Sequence, residues 1–458
     1  MATTTSTPAM TATVDCGDPA VKIDPRPEAT KLAMFAAPIT PTDAFSRTSE
    51  YANDPRAYLV KELGQATFDE RKHLLSLPEV VDKDAYGNGK HKAHFEGHIS
   101  KLFGKKAGLF FLTGVQAQLA ALKVHCARAK NSRVAWHVSC HLESAEERAY
   151  EELYHLERTL LGSDPDALPT VDEIKKVINA PESERPAVVV LEIPNRTLGC
   201  QTYTFDQLRE ISAACKAADV VLHCDGARIW EIEPYYQAND GKTFADIAAL
   251  FETVYTSFYK GLQGASGAML TANDESVITD AKVWQRRAGG NAFTLFYETI
   301  DCERGFNTNI GTFARKREKM IEVVESIKAA TKEYQISGKP IVTFVPSEAL
   351  CSQIRTRFDG FTEQELFAAR DKVAEKHSIR VFEWAFSSMT LDEKLAMSRK
   401  GMSDEEIRKS QKDGKSHMIE WMMMSVTEKI DTQVFVDGYV KFCDELLLGR
   451  KHEFSKCW

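Results

Sequence analysis

The sequence predicts an α/β protein: a large domain with a mostly parallel sheet covered by helices, followed by a smaller α+β domain. Short apolar runs alternate with helical patterns between about residues 107 and 271, and this alternation is typical of a helix-covered parallel sheet. The run 187–193 is continuously apolar, as expected for a strand that is buried on both faces. After Gly311 charged helical patterns and short strands predict a second domain.

Each element of the large domain is predicted from hydrophobic periodicity and from its turn residues. We place this domain at residues 61–310. The expected helices are 94–103, 116–129, 144–161 and 205–217. The expected strands are 107–112, 133–138, 187–193, 220–224, 253–258 and 268–271.

The small domain is placed at residues 311–458, and its pattern is less regular. Its expected helices are 313–331, 363–376 and 433–448, and its expected strands are 340–345, 379–384 and 422–427. The polar segment 387–415 is rich in Lys, Asp and Ser and predicts a surface insertion. Residues 1–60 are rich in Pro and Thr and are interpreted as an N-terminal tail and arm.

Composition excludes several classes of function. The chain has 458 residues, 43% of them hydrophobic, and a net charge of −8, so we expect no nucleic-acid partner. No apolar run approaches the roughly 20 residues that cross a bilayer, and we expect no membrane association. The ten cysteines follow no disulfide framework and the first residues do not look like a targeting peptide, which favours a cytoplasmic protein.

Two residues that follow predicted strands stand out for their chemistry. Asp225 comes directly after the apolar strand 220–224. Lys260 lies 35 residues beyond Asp225 and follows the β-rich segment 253–258. Pyridoxal phosphate requires such a pair, since a lysine holds its aldehyde as a Schiff base and a carboxylate keeps its ring nitrogen protonated. A surface lysine, and an aspartate that forms the turn before Gly226, are the simpler alternatives.

Three other segments contain groups that could bind an anion. Arg228 has the guanidinium that suits a substrate carboxylate, although a structural salt bridge would use it equally. Gly114, between a predicted strand and helix, could expose backbone N–H groups that bind a phosphate, although a plain turn has the same pattern. The basic turn at Arg286 and Arg287 could reach the same phosphate or be solvated.

A histidine also follows a predicted strand. His141 could stack on a cofactor ring or transfer a proton near neutral pH, and a structural histidine is the alternative. The neighbouring cluster of His137, Cys140 and His141 is not accompanied by a second group of ligands, so we predict no metal site.

These motifs, in this order, resemble the threonine aldolase and β-eliminating lyase family of fold-type I pyridoxal phosphate enzymes. The resemblance runs from about Tyr86 to Gly290. The matching segments are 86–89, the phosphate-binding stretch 102–119, His141 with Glu146, 192–199, the His-x-Asp-Gly-Ala-Arg motif at 223–228, and Lys-Gly-Leu at 260–262.

The resemblance implies pyridoxal 5'-phosphate as cofactor, a small-molecule amino acid as substrate, and a homodimer or homotetramer. It assigns catalytic roles to Lys260, His141 and Asp225. The residues expected to bind the cofactor are Gly114, Val115, Gln116, His141, Asp225, Arg228, Ser257, Lys260 and Arg287. The residues expected to bind substrate are Arg228, Tyr86 and Asn195.

The expected activity is a carbon–carbon lyase reaction, the aldol-type cleavage of the Cα–Cβ bond of a β-hydroxy amino acid. A racemase or a β-eliminating lyase on the same scaffold is the alternative, and a non-catalytic binding protein of this fold is a further one. The chain departs from the family pattern on the substrate side. Asn195 or Arg196 stands where a histidine is common, and no second-domain arginine for the substrate carboxylate is evident near the apolar stretch 421–425.

Overall fold

The computed structural model describes residues 29–34, 39–164, 166–387 and 416–455. The predicted surface insertion at 387–415, except for Ser387, and the first 28 residues of the predicted arm therefore lie outside the described residues. Within the described ranges no helix is long and apolar enough to cross a membrane.

A seven-stranded sheet forms the centre of the large domain. After a short strand β1 (Thr30–Lys31), its members are β2 (Ala107–Phe111), β3 (Arg133–His137), β4 (Glu157–Leu161), β5 (Val188–Glu192), β6 (Val221–Asp225), β7 (Thr253–Ser257) and β8 (Ala268–Ala272). Their spatial order is β2-β8-β7-β6-β5-β3-β4. Only β8 runs antiparallel to its neighbours in this sheet, so the carboxyl ends of the other strands meet at one edge.

Helices cover both faces of this sheet. They are α1 (Pro41–Asn53), α2 (Pro55–Leu63), α3 (Gln65–Arg71), α4 (Lys90–Leu102), α5 (Gly114–Ala129), α6 (His141–Ser144), α7 (Ala149–Glu152), α8 (Val171–Ile178), α9 (Phe205–Ala217), α10 (Ile229–Asp240), α11 (Phe244–Ala248), α12 (Glu275–Arg287) and α13 (Phe296–Asn309). Thr170 and Thr204 begin α8 and α9 with capping boxes, which fixes where these helices start.

The second domain begins with the long helix α14 (Phe313–Thr331), which contacts α10 of the large domain. Its remaining elements are β9 (Gln335–Ile336), β10 (Lys339–Pro340), β11 (Thr343–Val345), β12 (Gln353–Asp359), α15 (Glu363–His377), β13 (Ile379–Arg380), β14 (Phe386–Ser387), β15 (Ser416–Met422), a 3-10 turn (Thr427–Lys429) and α16 (Thr432–Ser455). Four strands form an antiparallel sheet in the order β11-β12-β15-β14, and β13 pairs with β1.

Clusters of buried hydrophobic side chains hold these layers together in both domains. In the large domain Phe95, Trp230 and Phe306 are almost fully buried beneath the sheet, with ring centroids 5.5–6.1 Å apart. In the small domain Trp421 on β15 packs on Tyr439 of α16 at 5.0 Å. Burial of each such side chain contributes about 1.5–3 kcal/mol, so each set stabilises its own domain by several kcal/mol.

One predicted helix, 144–161, is wrong. The structure has two single-turn helices there, followed by the edge strand β4, which pairs in parallel with β3. β4 has a neighbour on one side only, so its charged residues Glu157 and Arg158 are compatible with a strand. Those same charges favoured a helix when the sequence was considered alone.

Other differences concern short or polar elements. The segment before residue 60 contains α1 and α2, whose Tyr51 and Tyr58 are buried against the core. Pro41 and Pro55 are the first residues of these helices and mark helix starts, whereas the sequence interpretation took them as loop signals. The predicted strand 422–427 lies at 416–422 instead, and β12 was not predicted.

Candidate active site

Three parallel strands bring polar residues to one edge of the sheet. Glu192 at the end of β5 is the register partner of Asp225 at the end of β6, and Asp225 is the partner of Tyr255 on β7. The Asp225 side chain is buried, and its Oδ1 accepts a hydrogen bond from Ala227 N at 3.1 Å. This edge is where α/β sheets bind ligands.

Lys260 lies in the loop after β7, three residues beyond the end of the strand. Burial and the neighbouring Arg228 lower the pKa of its amine to about 8, and the charge of Asp225 opposes this. The loop is fixed by α13, because Asp301 accepts a hydrogen bond from Ala265 N at 2.7 Å and Asn309 donates one to Leu262 O at 2.9 Å. With this pKa about a tenth of the amine is neutral at pH 7, far more than for an ordinary lysine, and the neutral amine is the form that imine formation requires.

The lowered pKa makes a prediction for cofactor capture. The neutral amine is the nucleophile, so the rate at which protein freed of cofactor binds pyridoxal phosphate should rise with pH, with a midpoint near 8. Stopped-flow absorbance measures this rate, and Lys260→Met gives the background from surface lysines. A midpoint near the ordinary lysine pKa of about 10.4 would contradict the burial of this amine.

Two further acidic residues, Glu192 and Glu231, lie near Asp225 and Lys260. Burial, together with the charge of Asp225, raises the pKa of Glu192 to about 7, and its Oε1 accepts a hydrogen bond from Arg196 N at 2.9 Å. Its other oxygen is buried without a hydrogen-bond partner in the described part of the chain. Burial also raises the pKa of Glu231, which accepts a hydrogen bond from Gly261 N at 3.1 Å. Glu192 can therefore hold or release a proton near neutral pH.

The start of α5 fits a phosphate group. Thr113 caps this helix through Gln116 N, and within the described ranges the N–H groups of Gly114 and Val115 have no acceptor. A Cβ atom on Gly114 would overlap the Tyr255 hydroxyl, so the chain passes this point without a side chain. Two free N–H groups at a helix N-terminus, beside the Asp225 edge, match the phosphate end of pyridoxal phosphate.

His141 lies four residues after the end of β3, and its role at a cofactor stays a prediction. It begins α6, is partly exposed, and its Nε2 is 2.8 Å from Oε1 of Glu146. Glu146 thus orients the imidazole. The neighbouring His137 makes a separate contact with the Ser139 hydroxyl at 2.7 Å.

The remaining predicted cofactor contacts lie around this site. Ser257 is buried at the end of β7 and donates a hydrogen bond to Ala227 O at 2.8 Å. The turn after α12 packs on Gln116, whose amide donates to Ala288 O. Arg287 itself is exposed and stacks on Trp284 at 4.7 Å. The roles of Ser257 and Arg287 therefore stay predictions.

Two residues predicted to bind substrate, Asn195 and Tyr86, make other contacts within the chain. Asn195 is buried; its amide donates to Ser139 Oγ at 2.7 Å and accepts from Leu198 N at 3.0 Å. Tyr86 is exposed, and its ring meets Phe293 edge-on at 5.4 Å. In the described part of the chain neither side chain hydrogen-bonds to Lys260 or Arg228, so their substrate roles also stay predictions.

Arg228 connects the two domains. Its Nε donates to Oε1 of Gln353 at 2.7 Å, and its Nη2 lies 3.8 Å from Oε1 of Glu420. The second domain places an arginine beside this contact, since Arg355 on β12 is the cross-strand partner of Glu420. The sequence interpretation missed Arg355 because it did not predict β12, although Ile354, Thr356 and Phe358 recur at every second position, which is the signal of a half-buried strand.

Comparison with known proteins agrees with this geometry. The family model described as "Beta-eliminating lyase" matches residues 78–344, more than half of the chain. The low specificity L-threonine aldolase of Escherichia coli K12 is 25% identical over 210 residues, covering 46% of this chain and 61% of that protein. The matches span 54–62% of the length of such curated relatives.

Solved structures show the same fold. A structure from Listeria monocytogenes, assigned as an L-allo-threonine aldolase, has a TM-score of 0.70 and 26% identity, covering 91% of this chain and 97% of that one. A structure from Exiguobacterium, assigned as an aromatic amino acid β-eliminating lyase/threonine aldolase, has a TM-score of 0.71 and 24% identity, covering 91% and 98%. The fold is that of fold-type I pyridoxal phosphate enzymes, and the chain belongs to the β-eliminating lyase family.

Proposed function

We propose that this protein is a pyridoxal phosphate-dependent carbon–carbon lyase that cleaves the Cα–Cβ bond of a β-hydroxy amino acid. The observation that carries the proposal is the pairing of the buried carboxylate Asp225 with Lys260, whose amine has a lowered pKa, at one edge of the sheet. A protein that only binds other molecules would have no use for this pair. The threonine aldolases among the relatives support the choice of bond.

The chain's own residues fit the cofactor at four points. Lys260 would hold its aldehyde, Asp225 its ring nitrogen, the N–H groups of Gly114 and Val115 its phosphate, and His141 the face of its ring. When bound, pyridoxal phosphate supplies an electron sink for the electron pair released at Cα.

The reaction requires two proton movements and no oxidant. As the Cα–Cβ bond breaks, the β-hydroxyl loses its proton, Cβ becomes a carbonyl carbon, and Cα gains a proton. His141, oriented by Glu146, and Glu192, whose pKa burial and the charge of Asp225 raise to about 7, would carry these protons. Arg228 would bind the substrate carboxylate.

Product analysis of the cofactor-loaded enzyme tests the choice of bond. We expect glycine and an aldehyde, in equal amounts, from at least one member of a panel of β-hydroxy amino acids that includes both threonine diastereomers and β-hydroxyaspartate. D-Alanine formed from L-alanine would favour the racemase alternative. Failure of the whole panel to release aldehyde would rule out the aldolase reaction.

A further inference from the structure

Three guanidinium groups converge on one carboxylate where the two domains meet. Arg196 forms a fork with Glu420, at 2.9 Å from Nε to Oε1 and 2.6 Å from Nη2 to Oε2. Arg228 and Arg355 each place Nη2 3.8 Å from the same carboxylate. Gln353 bridges the set, since it accepts from Arg228 and donates to Glu420. We call Arg196, Arg228, Arg355 and Glu420 the arginine cluster.

The arginine cluster carries excess positive charge. Burial of the Glu420 carboxylate opposes its ionisation. The hydrogen bond from Arg196 and the charges of all three arginines outweigh this effect and lower its pKa, so Glu420 contributes one negative charge. Among the ion pairs of the described residues, Glu420 is the single acidic partner of these three arginines. The nearby Glu192 and Glu231 bind backbone N–H groups instead, and burial raises the pKa of both.

Donors of the cluster remain free within the described part of the chain. Arg355 donates a hydrogen bond from Nη1 to Thr197 O at 2.7 Å, and its Nε is buried without a hydrogen-bond partner. Arg196 is one-third exposed and uses only Nε and Nη2. An unpaired buried donor is costly, so two unneutralised cations with free donors favour an anionic ligand at this cluster.

We propose that the substrate carries a second carboxylate on its side chain, which makes it a β-hydroxy dicarboxylic amino acid. This rests on the proposed function. Arg228, beside Lys260, takes the α-carboxylate, and Arg196 with Arg355 takes the side-chain carboxylate. Glu420 keeps the guanidiniums oriented and leaves a net charge of +2 to match the two acidic groups of the ligand. A methyl side chain, as in threonine, would leave the side-chain subsite unpaired.

Equilibrium binding tests this proposal without relying on turnover. The cofactor-loaded enzyme is titrated with L-aspartate, L-asparagine and L-alanine, which have no β-hydroxyl, and the visible absorption change gives each dissociation constant. Asparagine has the shape of aspartate but lacks its charge. We expect aspartate to bind roughly tenfold more tightly than asparagine. This ratio should fall severalfold in Arg196→Gln, because Arg355 alone then remains for the side-chain carboxylate.

Arg158 provides the matched control. Its side chain is 31% exposed, against 33% for Arg196, and it pairs with Glu143 at 2.8 Å outside the cluster. Arg158→Gln should therefore keep the wild-type ratio of aspartate to asparagine affinity.

The outcomes separate this proposal from the proposed function. Equal affinity of the wild-type enzyme for aspartate and asparagine overturns the dicarboxylic substrate alone, and it does so even if Arg196→Gln fails to fold. A ratio that survives in a folded Arg196→Gln variant overturns the role of Arg196. No absorption change with any of the three amino acids contradicts both proposals.

Discussion

Lys260→Met should abolish the visible absorption of the purified protein and lower its activity by more than about a thousandfold. Methionine is unbranched and similar in volume, so the fold is preserved, but no amine remains to hold the cofactor aldehyde. An absorption spectrum and a rate of aldehyde release measure the two effects.

Lys316 is a matched control for this substitution. It is also buried, and burial lowers its pKa to about 8, but it lies on α14 with its Nζ 3.5 Å from Asn309 Oδ1. Lys316→Met should keep the colour. Unchanged colour in Lys260→Met, or equal loss in both variants, would remove Lys260 from the proposed role.

Asp225→Asn should lower kcat/KM by about a hundredfold to a thousandfold, or roughly 3–4 kcal/mol of the barrier, while the protein stays coloured. Asparagine has the same shape and can still accept from Ala227 N, but it has no charge to stabilise a protonated ring nitrogen. Because Lys260 remains, the aldehyde is still held. Steady-state kinetics and a melting temperature are the measurements, and a stable Asp225→Asn variant with wild-type kcat/KM would contradict the assignment.

The parts of the fold that the sequence predicts well are the parts that carry Asp225 and Lys260. β5, β6 and β7 have neighbours on both sides, so burial favours the apolar residues of β5 and β6 and the β-branched and aromatic residues of β7. Their ends place Asp225 and Lys260 at one edge of the sheet. The edge strand β4 was mistaken for helix because half of its surface faces solvent and its charges follow no strand-specific pattern.

The substrate side of the site was less accessible to prediction, for a physical reason. Arg196 and Glu420 are 224 positions apart, and nothing local in either segment requires the other. Their contact follows from the way the small domain closes on the sheet edge. The pairing of Arg355 with Glu420 follows from the register of β12 and β15, which becomes visible only once both strands are known.

Chemical trapping tests the central claim most directly. The purified, coloured enzyme is treated with sodium borohydride, which makes an imine between a lysine and the cofactor permanent, and its peptides are then analysed by mass spectrometry. We expect the pyridoxyl phosphate group on Lys260. An active enzyme that carries the group on another lysine, or on none, would contradict the claim that Lys260 and Asp225 form the cofactor site.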